Sequence, residues 1–114
     1  MTGIINIDDV IGLYEDNVRI RENNKKSVWK YDSIRKGMYY PDVDRIILYT
    51  KNIRSKQDYD NTIMHELYHA HDLRVNEQVT EELALYTNKV YPEVIEFVKE
   101  LYQLEYLGAE NEKL

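Results

Sequence analysis

Hydrophobic residues recur along this chain with two different periods. The segment DDVIGLYEDNV near the N-terminus has the helical period, and Asp8 is placed to cap its start. After the polar break RENNKK come three short segments rich in aromatic and β-branched residues, namely SVWKY, GMYY and RIILYT. Proline and aspartates in YPDVDR indicate a turn between the last two. We therefore expect one helix, followed by a sheet of two or three strands that ends in a hairpin.

The period becomes helical again from Asp58 onward. Ile63, Leu67 and Ala70 are spaced by four and three residues, and Asp58 or Asp60 is available to cap the start. A loop near RVNE should end this helix.

Two further helices are expected after that loop. The first runs from about Glu77 to Val90 and stops before Pro92. The second runs from Glu93 to Leu107 and ends at Gly108. The residues predicted to be buried on the first helix are Val79, Leu83, Tyr86 and Val90. Those predicted to share one face of the second are Val94, Phe97, Val98, Leu101 and Leu104.

The composition limits what the protein can do. With 114 residues, of which 43% are hydrophobic, the chain (1–114) is expected to form one domain. It has no cysteine, which excludes disulfides, thiolate metal sites and thiol nucleophiles. Its net charge of -6 argues against a nucleic-acid partner. No apolar run approaches the roughly 20 residues of a membrane span, so we expect a soluble, cytoplasmic protein.

All three histidines of the chain lie in TIMHELYHAHD. On a helical wheel, His65, Glu66 and His69 fall on the polar side, opposite Ile63 and Leu67. Two histidines four residues apart on a helix can direct their rings at one cation, and the glutamate beside the first can reach a water on it. This HExxH pattern predicts His65 and His69 as metal ligands and Glu66 as the general base. The alternative is a solvated helix face.

A third protein ligand would have to come from a carboxylate, because no other histidine is suitably placed. His71 falls toward the core side of the wheel, so we expect a buried or helix-end residue there. The next helix offers Glu77, Glu81 and Glu82, and Glu81 is favoured because the small Ala84 follows it three positions later. The alternative for Glu81 is an exposed acid near a helix start.

HELYH followed by TEELA resembles the gluzincins, zinc metallopeptidases that combine HExxH with a later glutamate, often in an ExxA pattern. The chain is most similar to the minigluzincins, soluble minimal forms of the catalytic domains in integral-membrane CAAX-type and antibiotic-sensor metallopeptidases. The resemblance covers about residues 58–92. It implies an α+β fold, with a small mixed sheet of about three strands packed on the HExxH helix, a glutamate helix and a C-terminal helix. Thermolysin-type members carry an aspartate where this chain has Leu85; Asp72 either orients an imidazole instead or is only a helix-end charge.

These features predict a Zn²⁺-dependent metalloendopeptidase in which Glu66 moves the proton of a water that attacks a peptide bond. We expect the peptide substrate to lie beside a sheet edge, and a tyrosine to donate to the developing oxyanion; Tyr86 and Tyr91 are nearest in sequence. One alternative is a zinc-stabilised interaction module without catalysis. Another is a peptidase dedicated to one protein, like the repressor-cleaving family, although no DNA-binding domain accompanies the motif.

The C-terminal segment, residues 93–114, raises a question of regulation. The resemblance implies a zymogen whose C-terminal segment holds it latent. Pro92 could act as a hinge for exchange of the C-terminal helix between two molecules, which predicts a homodimer. The alternative is that this helix packs in the core of its own chain.

Overall fold

The computed structural model describes residues 3–24 and 35–107, which form four helices and one sheet. The elements in chain order are α1 (Ile7–Glu15), β1 (Arg19–Asn23), β2 (Gly37–Tyr40), β3 (Arg45–Tyr49), a 3₁₀ turn (Thr50–Asn52), α2 (Lys56–His71), α3 (Glu77–Val90) and α4 (Pro92–Tyr102). This confirms the predicted α+β class with a small mixed sheet of three strands. Within the described residues, no helix is long and apolar enough to cross a membrane.

Among the described residues the sheet has the strand order β1-β3-β2, so β1 and β2 are the edges of this part of the sheet. β2 and β3 pair antiparallel, which confirms the predicted hairpin, while β1 runs parallel to β3. The reading of RENNKK as a polar break was wrong for its first residues, because Arg21 to Asn23 belong to β1. Ile20 is the buried residue of this strand, which explains the weak sequence signal. The predicted SVWKY strand lies outside the described residues.

The helix caps differ from those predicted. α1 begins after Asn6, whose side chain accepts from the Asp9 N–H at 2.8 Å, while the Asp9 carboxylate accepts from the Asn6 N–H at 3.0 Å. α2 begins after Ser55, whose hydroxyl accepts from the Asp58 N–H at 3.0 Å. Asp8, Asp58 and Asp60 are therefore not caps. A capping residue must precede the helix with extended backbone, and the three aspartates already lie inside helical turns.

α2 is the central element of the core. Ile63, Met64 and Leu67 are fully buried, as the periodicity predicts. The hydroxyl of buried Tyr68 accepts from the Ile5 N–H at 2.9 Å and lies 2.6 Å from the Thr87 hydroxyl on α3. α2 is therefore held against the N-terminal segment on one side and against α3 on the other, which fixes the position of its histidine face.

α3 buries a different face from the one predicted. Its buried residues are Thr80, Ala84 and Thr87, whereas Val79, Tyr86 and Val90 are exposed and Leu83 is partly buried. Each threonine donates its hydroxyl hydrogen to a carbonyl four residues earlier, at 2.8 Å for Thr80 and 2.7 Å for Thr87. Their polar groups are thus satisfied inside the core, and these small side chains allow α3 to approach α2 closely.

α4 is shorter than predicted and packs in the core of its own chain. It ends at Tyr102 because Gln103 has φ 58°, and the Leu104 N–H then closes the end on the Lys99 carbonyl at 2.8 Å. The predicted continuation to Leu107 was wrong, and Gly108 lies outside the described residues. The buried residues of α4 are Val94, Ile95 and Val98. Exchange of this helix between two molecules stays a prediction.

Candidate metal centre

His65 and His69 lie one above the other on the last two turns of α2. Their Nε2 atoms are 3.1 Å apart, and their rings meet at 71° with centroids 4.8 Å apart. This is the arrangement expected from histidines four residues apart on a helix. Two imidazole nitrogens therefore converge on one point at the C-terminal end of α2.

α3 brings a carboxylate to the same point. The Asn76 side chain accepts from the Val79 N–H at 2.9 Å and starts α3 at Glu77. The Glu77 carboxylate then lies 3.0 Å from Nε2 of His65 and 2.7 Å from Nε2 of His69. His65, His69 and Glu77 each offer one ligand atom, and these atoms lie within 4.8 Å of one another, a group that could hold a metal ion.

Glu81, which the sequence favours as the third ligand, lies on the other side of the same ring. Its Oε1 is 2.9 Å from Nδ1 of His65. Glu82 points elsewhere and accepts from the Gln78 side chain at 3.4 Å. The structure thus brings Glu81 to His65 but places Glu77 between the two Nε2 atoms, so the assignment of Glu81 as a ligand stays a prediction. The sequence did contain a signal for Glu77. Asparagine is a common helix cap, and a cap at Asn76 makes Glu77 the first residue of α3, at the helix end that faces α2.

The chemistry and spacing of these groups fit zinc. Two histidine nitrogens and one carboxylate form a known catalytic ligand set that leaves one coordination position open. With bonds of about 2.0 to 2.1 Å, tetrahedral ligands are about 3.3 Å apart. The three distances among the Nε2 atoms and the Glu77 oxygens are 2.7, 3.0 and 3.1 Å. If the three ligand atoms moved apart by a few tenths of an ångström, the ion would fit between them.

The charge states of two of these groups suit a cation. Burial and the neighbouring His65 lower the pKa of His69, against the opposing effect of Glu77. Burial opposes ionisation of Glu77, but the two histidines outweigh it and lower its pKa below the ordinary value. Near neutral pH, His69 is therefore neutral and Glu77 is ionised, which are the forms that bind metal.

Glu66, the predicted general base, is buried beneath the sheet edge. Only 6% of its surface is exposed, because β2 crosses directly over it. The nearby backbone of Tyr39 favours the charged form of the Glu66 carboxylate. Burial raises the pKa of Glu66 to about 7, with a further contribution from Glu77, and this outweighs the lowering effect of His65.

The close approach of β2 to α2 depends on Gly37. A Cβ atom at this position would lie 2.8 Å from Cγ2 of Thr62 and 3.2 Å from Cγ of Glu66. Both distances are shorter than ordinary van der Waals contacts. Gly37 is therefore required for β2 to lie against the residues that carry the chemistry.

An open cavity of about 500 Å³ lies between β2, α2 and α3, and its lining includes His65 and Glu77 but not His69. Its ionisable lining residues are Arg35, Lys36, Asp58, His65, Glu66, Glu77 and Glu81. The expected tyrosine donors are absent from this lining: Tyr86 and Tyr91 lie on exposed parts of the chain, with ring centroids 6.3 Å apart. No described residue of α4 lines the cavity either, so a latent state imposed by residues 93–114 stays a prediction.

The last two residues of the motif region lie at the end of α2. His71 is the final helical residue and is exposed, so the expectation of a helix-end histidine is confirmed and its placement toward the core was wrong. Asp72 follows as the C-terminal cap, and its carboxylate accepts from the backbone N–H and the guanidinium of Arg74, each at 3.0 Å.

Comparisons with protein-family models, with curated proteins and with solved structures each found no match. Any functional assignment therefore depends on the residues and their geometry.

Proposed function

We propose that this protein is a zinc-dependent metalloendopeptidase. The observation that carries the proposal is the convergence of the two Nε2 atoms of His65 and His69, 3.1 Å apart, on a carboxylate of α3. Glu66, the next residue after His65, lies in the same cavity. A helix that presents two histidine ligands with a glutamate between them is the arrangement that metallopeptidases use for hydrolysis by water.

We assign the ligands as His65, His69 and Glu77. Glu77 is the carboxylate that touches both Nε2 atoms. Glu81 then has a different role, because by accepting from Nδ1 of His65 it fixes the tautomer that leaves Nε2 available as a ligand. This arrangement supplies the orienting carboxylate that the chain lacks at Leu85. The ExxA resemblance, in contrast, predicts that Glu81 is itself a ligand.

In the proposed reaction, each protein group has one role. Zinc, when bound, supplies Lewis acidity toward the substrate carbonyl and acidifies a water molecule to a pKa of about 7. Glu66 takes a proton from this water and returns it to the leaving amine. β2 packs against the Glu66 side chain beside the ligands and excludes bulk water from that side.

The substrate proposed is an extended segment of peptide or protein. Among the described strands, β2 is at an edge of the sheet and borders the cavity through Gly37, so its outer side can pair with a substrate strand next to Glu66. The cavity is open to solvent. An open groove suits cleavage within a chain rather than removal of terminal residues.

The alternative is a zinc-stabilised interaction module, and one observation favours it. Glu66 is only 6% exposed and lies against the backbone of β2, as a purely structural residue would. In such a module, zinc would join α2 to α3, and peptide cleavage would be absent with any metal.

The proposed function is tested by reconstitution. Protein purified without added zinc is analysed for metal, stripped with a chelator, reloaded with one equivalent of zinc and incubated with a mixed peptide library. We expect cleavage only in the native and reloaded samples, and neither zinc nor cleavage in the His65→Ala/His69→Ala variant. Bound zinc without any cleavage would favour the interaction module. Stoichiometric zinc in the double variant would show that zinc binds elsewhere and would contradict the proposed site.

A further inference from the structure

An apolar stripe runs along the solvent side of α3. It consists of Val79, Leu83, Tyr86 and Val90, of which Val79, Tyr86 and Val90 are 41%, 49% and 44% exposed. Of the ten large hydrophobic residues exposed in the described part of the chain, five lie between residues 79 and 91. The sequence periodicity predicts this stripe as a core face, yet α3 packs on its own chain chiefly through Thr80, Ala84 and Thr87, and of the stripe only Leu83 contacts the core. The stripe thus has the pattern of a buried surface without a partner in the described structure.

The spacing within the stripe is that of a helix-to-helix seam. The intervals alternate between four and three residues, as they do in a heptad repeat, and so keep the four side chains along one edge of the helix. Single exposed apolar residues are ordinary on protein surfaces, whereas a contiguous row of them marks an interaction site.

The stripe lies away from the metal centre. With about 100° of rotation per residue, the centre of the stripe lies roughly a quarter turn around α3 from the buried Thr80 and Ala84. Glu77 and Glu81 project from the opposite side, toward His65. A partner on the stripe would therefore leave the cavity open.

Charges beside the stripe indicate what that partner is. Glu82 and Lys89, seven residues apart and both exposed, lie along its outer edge. In an antiparallel pair of identical helices, the same edge of each helix faces the other, so Glu82 of one chain meets Lys89 of the second, twice by symmetry. In a parallel pair, this edge would instead face the edge that carries Thr80 and Thr87, and neither charge would find an opposite one.

We propose that two copies of this chain associate through the α3 stripe, with the two α3 helices antiparallel. The contact is self-complementary in charge, as a twofold interface requires. Tyr91 and Ile7, 41% and 36% exposed, border one cavity at the C-terminal end of the stripe and extend the apolar surface there. This dimer differs from one built by exchange of α4, because every helix stays in its own chain.

The first test is the mass of the full-length protein in solution, measured by sedimentation equilibrium from about 1 to 500 µM, the range of small reversible interfaces. We expect a monomer–dimer equilibrium for the native chain and a monomer for Tyr86→Lys/Val90→Lys. The matched control is Leu85→Lys, which alters a residue 44% exposed on another side of the same helix and should leave the dimer intact. Circular dichroism verifies that each variant is folded.

The second test determines whether the two α3 helices run antiparallel. The substitutions do not disturb packing within the chain, because Glu82 and Lys89 are exposed. Each single reversal, Glu82→Lys or Lys89→Glu, should weaken association by roughly tenfold, and the double reversal should restore it. A native protein that is monomeric throughout the range would overturn the proposal, as would a dimer that persists in Tyr86→Lys/Val90→Lys. Failure of the double reversal to restore association would overturn the antiparallel pairing.

Discussion

Nδ1 of His65 lies 2.9 Å from Oε1 of Glu81, so the ring is held from the side opposite its Nε2 atom. The other nitrogen, Nε2, faces Glu77 at 3.0 Å. A histidine between two carboxylates has one role for each nitrogen, and a ligating imidazole generally needs an acceptor for its second N–H. In the proposed site, the two glutamates one turn apart on α3 therefore have distinct roles, although the sequence alone makes them alternatives.

Zinc titration of glutamine variants separates these roles. We expect Glu77→Gln to weaken zinc binding the most, because it removes a ligand. Glu81→Gln should weaken it by roughly 10 to 100-fold, the usual cost of losing an orienting partner. Glu82→Gln, which changes an exposed residue directed away from the histidines, is the control. A larger loss from Glu81→Gln than from Glu77→Gln would make Glu81 the ligand, as the ExxA pattern predicts.

Substitution of Gly37 tests the contact between β2 and α2. An added Cβ would meet Thr62 at 2.8 Å, so we expect Gly37→Ala to destabilise the fold by about 1 to 3 kcal/mol, as overpacking does. Gly12 is the matched control, since it lies within α1 with nothing within 4 Å of an added Cβ, and alanine there should stabilise by about 0.5 to 1 kcal/mol. Thermal unfolding compares the two. If alanine changed the stability equally at Gly37 and at Gly12, β2 would have room to move away from the added methyl group.

The sequence predicted which residues share a face of α2 better than it predicted the packing of α3. HExxH on a helix with an apolar back located His65, Glu66 and His69, because a period of 3.6 residues determines which side chains share a face. It misplaced the buried face of α3, since threonines can enter a core when their hydroxyls bond to carbonyls of the preceding turn. Periodicity identifies an apolar stripe but cannot say whether the same chain covers it.

Two features of the site were out of reach of the sequence. The passage of β2 over Glu66 depends on long-range pairing in the sheet, which leaves only a single glycine, Gly37, as a local signal. The choice between Glu77 and Glu81 depends on how α3 packs against α2. The two glutamates lie about one turn apart on the same helix, so their spacing in the sequence does not separate them.

Burial of Glu66 makes the metal-free protein sensitive to pH. Its pKa rises from the ordinary 4.5 to about 7 on folding, chiefly through burial, so the folded state holds this proton more tightly than the unfolded state. The contribution of Glu66 to the free energy of unfolding is fully present below pH 4.5 and is lost as the pH rises through 7. Glu66→Gln should therefore stabilise the chelated protein by about 3 kcal/mol near pH 8 and very little near pH 4.5. Urea unfolding at both pH values measures this. A gain that is equal at the two pH values would contradict the account.

A buried ion pair joins α4 to α2. Nζ of Lys99 lies 3.0 Å from Oδ1 of Asp60, and their side chains are 10% and 12% exposed. Lys99→Met should destabilise the protein by about 2 to 4 kcal/mol, because it leaves the Asp60 charge in the interior. Lys56 reaches the same carboxylate at 3.5 Å but is 66% exposed, so Lys56→Met should cost less than about 1 kcal/mol. Urea unfolding compares them, and similar losses would mean that the carboxylate remains solvated.

The central claim, peptide hydrolysis by zinc with Glu66 as base, is tested most directly by comparing two proteins at equal zinc content. Native protein and Glu66→Gln are loaded with one equivalent of zinc, verified by metal analysis, and incubated with the same peptide library under mass-spectrometric detection; Glu82→Gln serves as the matched control. We predict that the native and Glu82→Gln proteins cleave internal peptide bonds, and that Glu66→Gln keeps its zinc but loses this activity, because only the proton acceptor is removed. Undiminished cleavage by zinc-loaded Glu66→Gln would contradict the account.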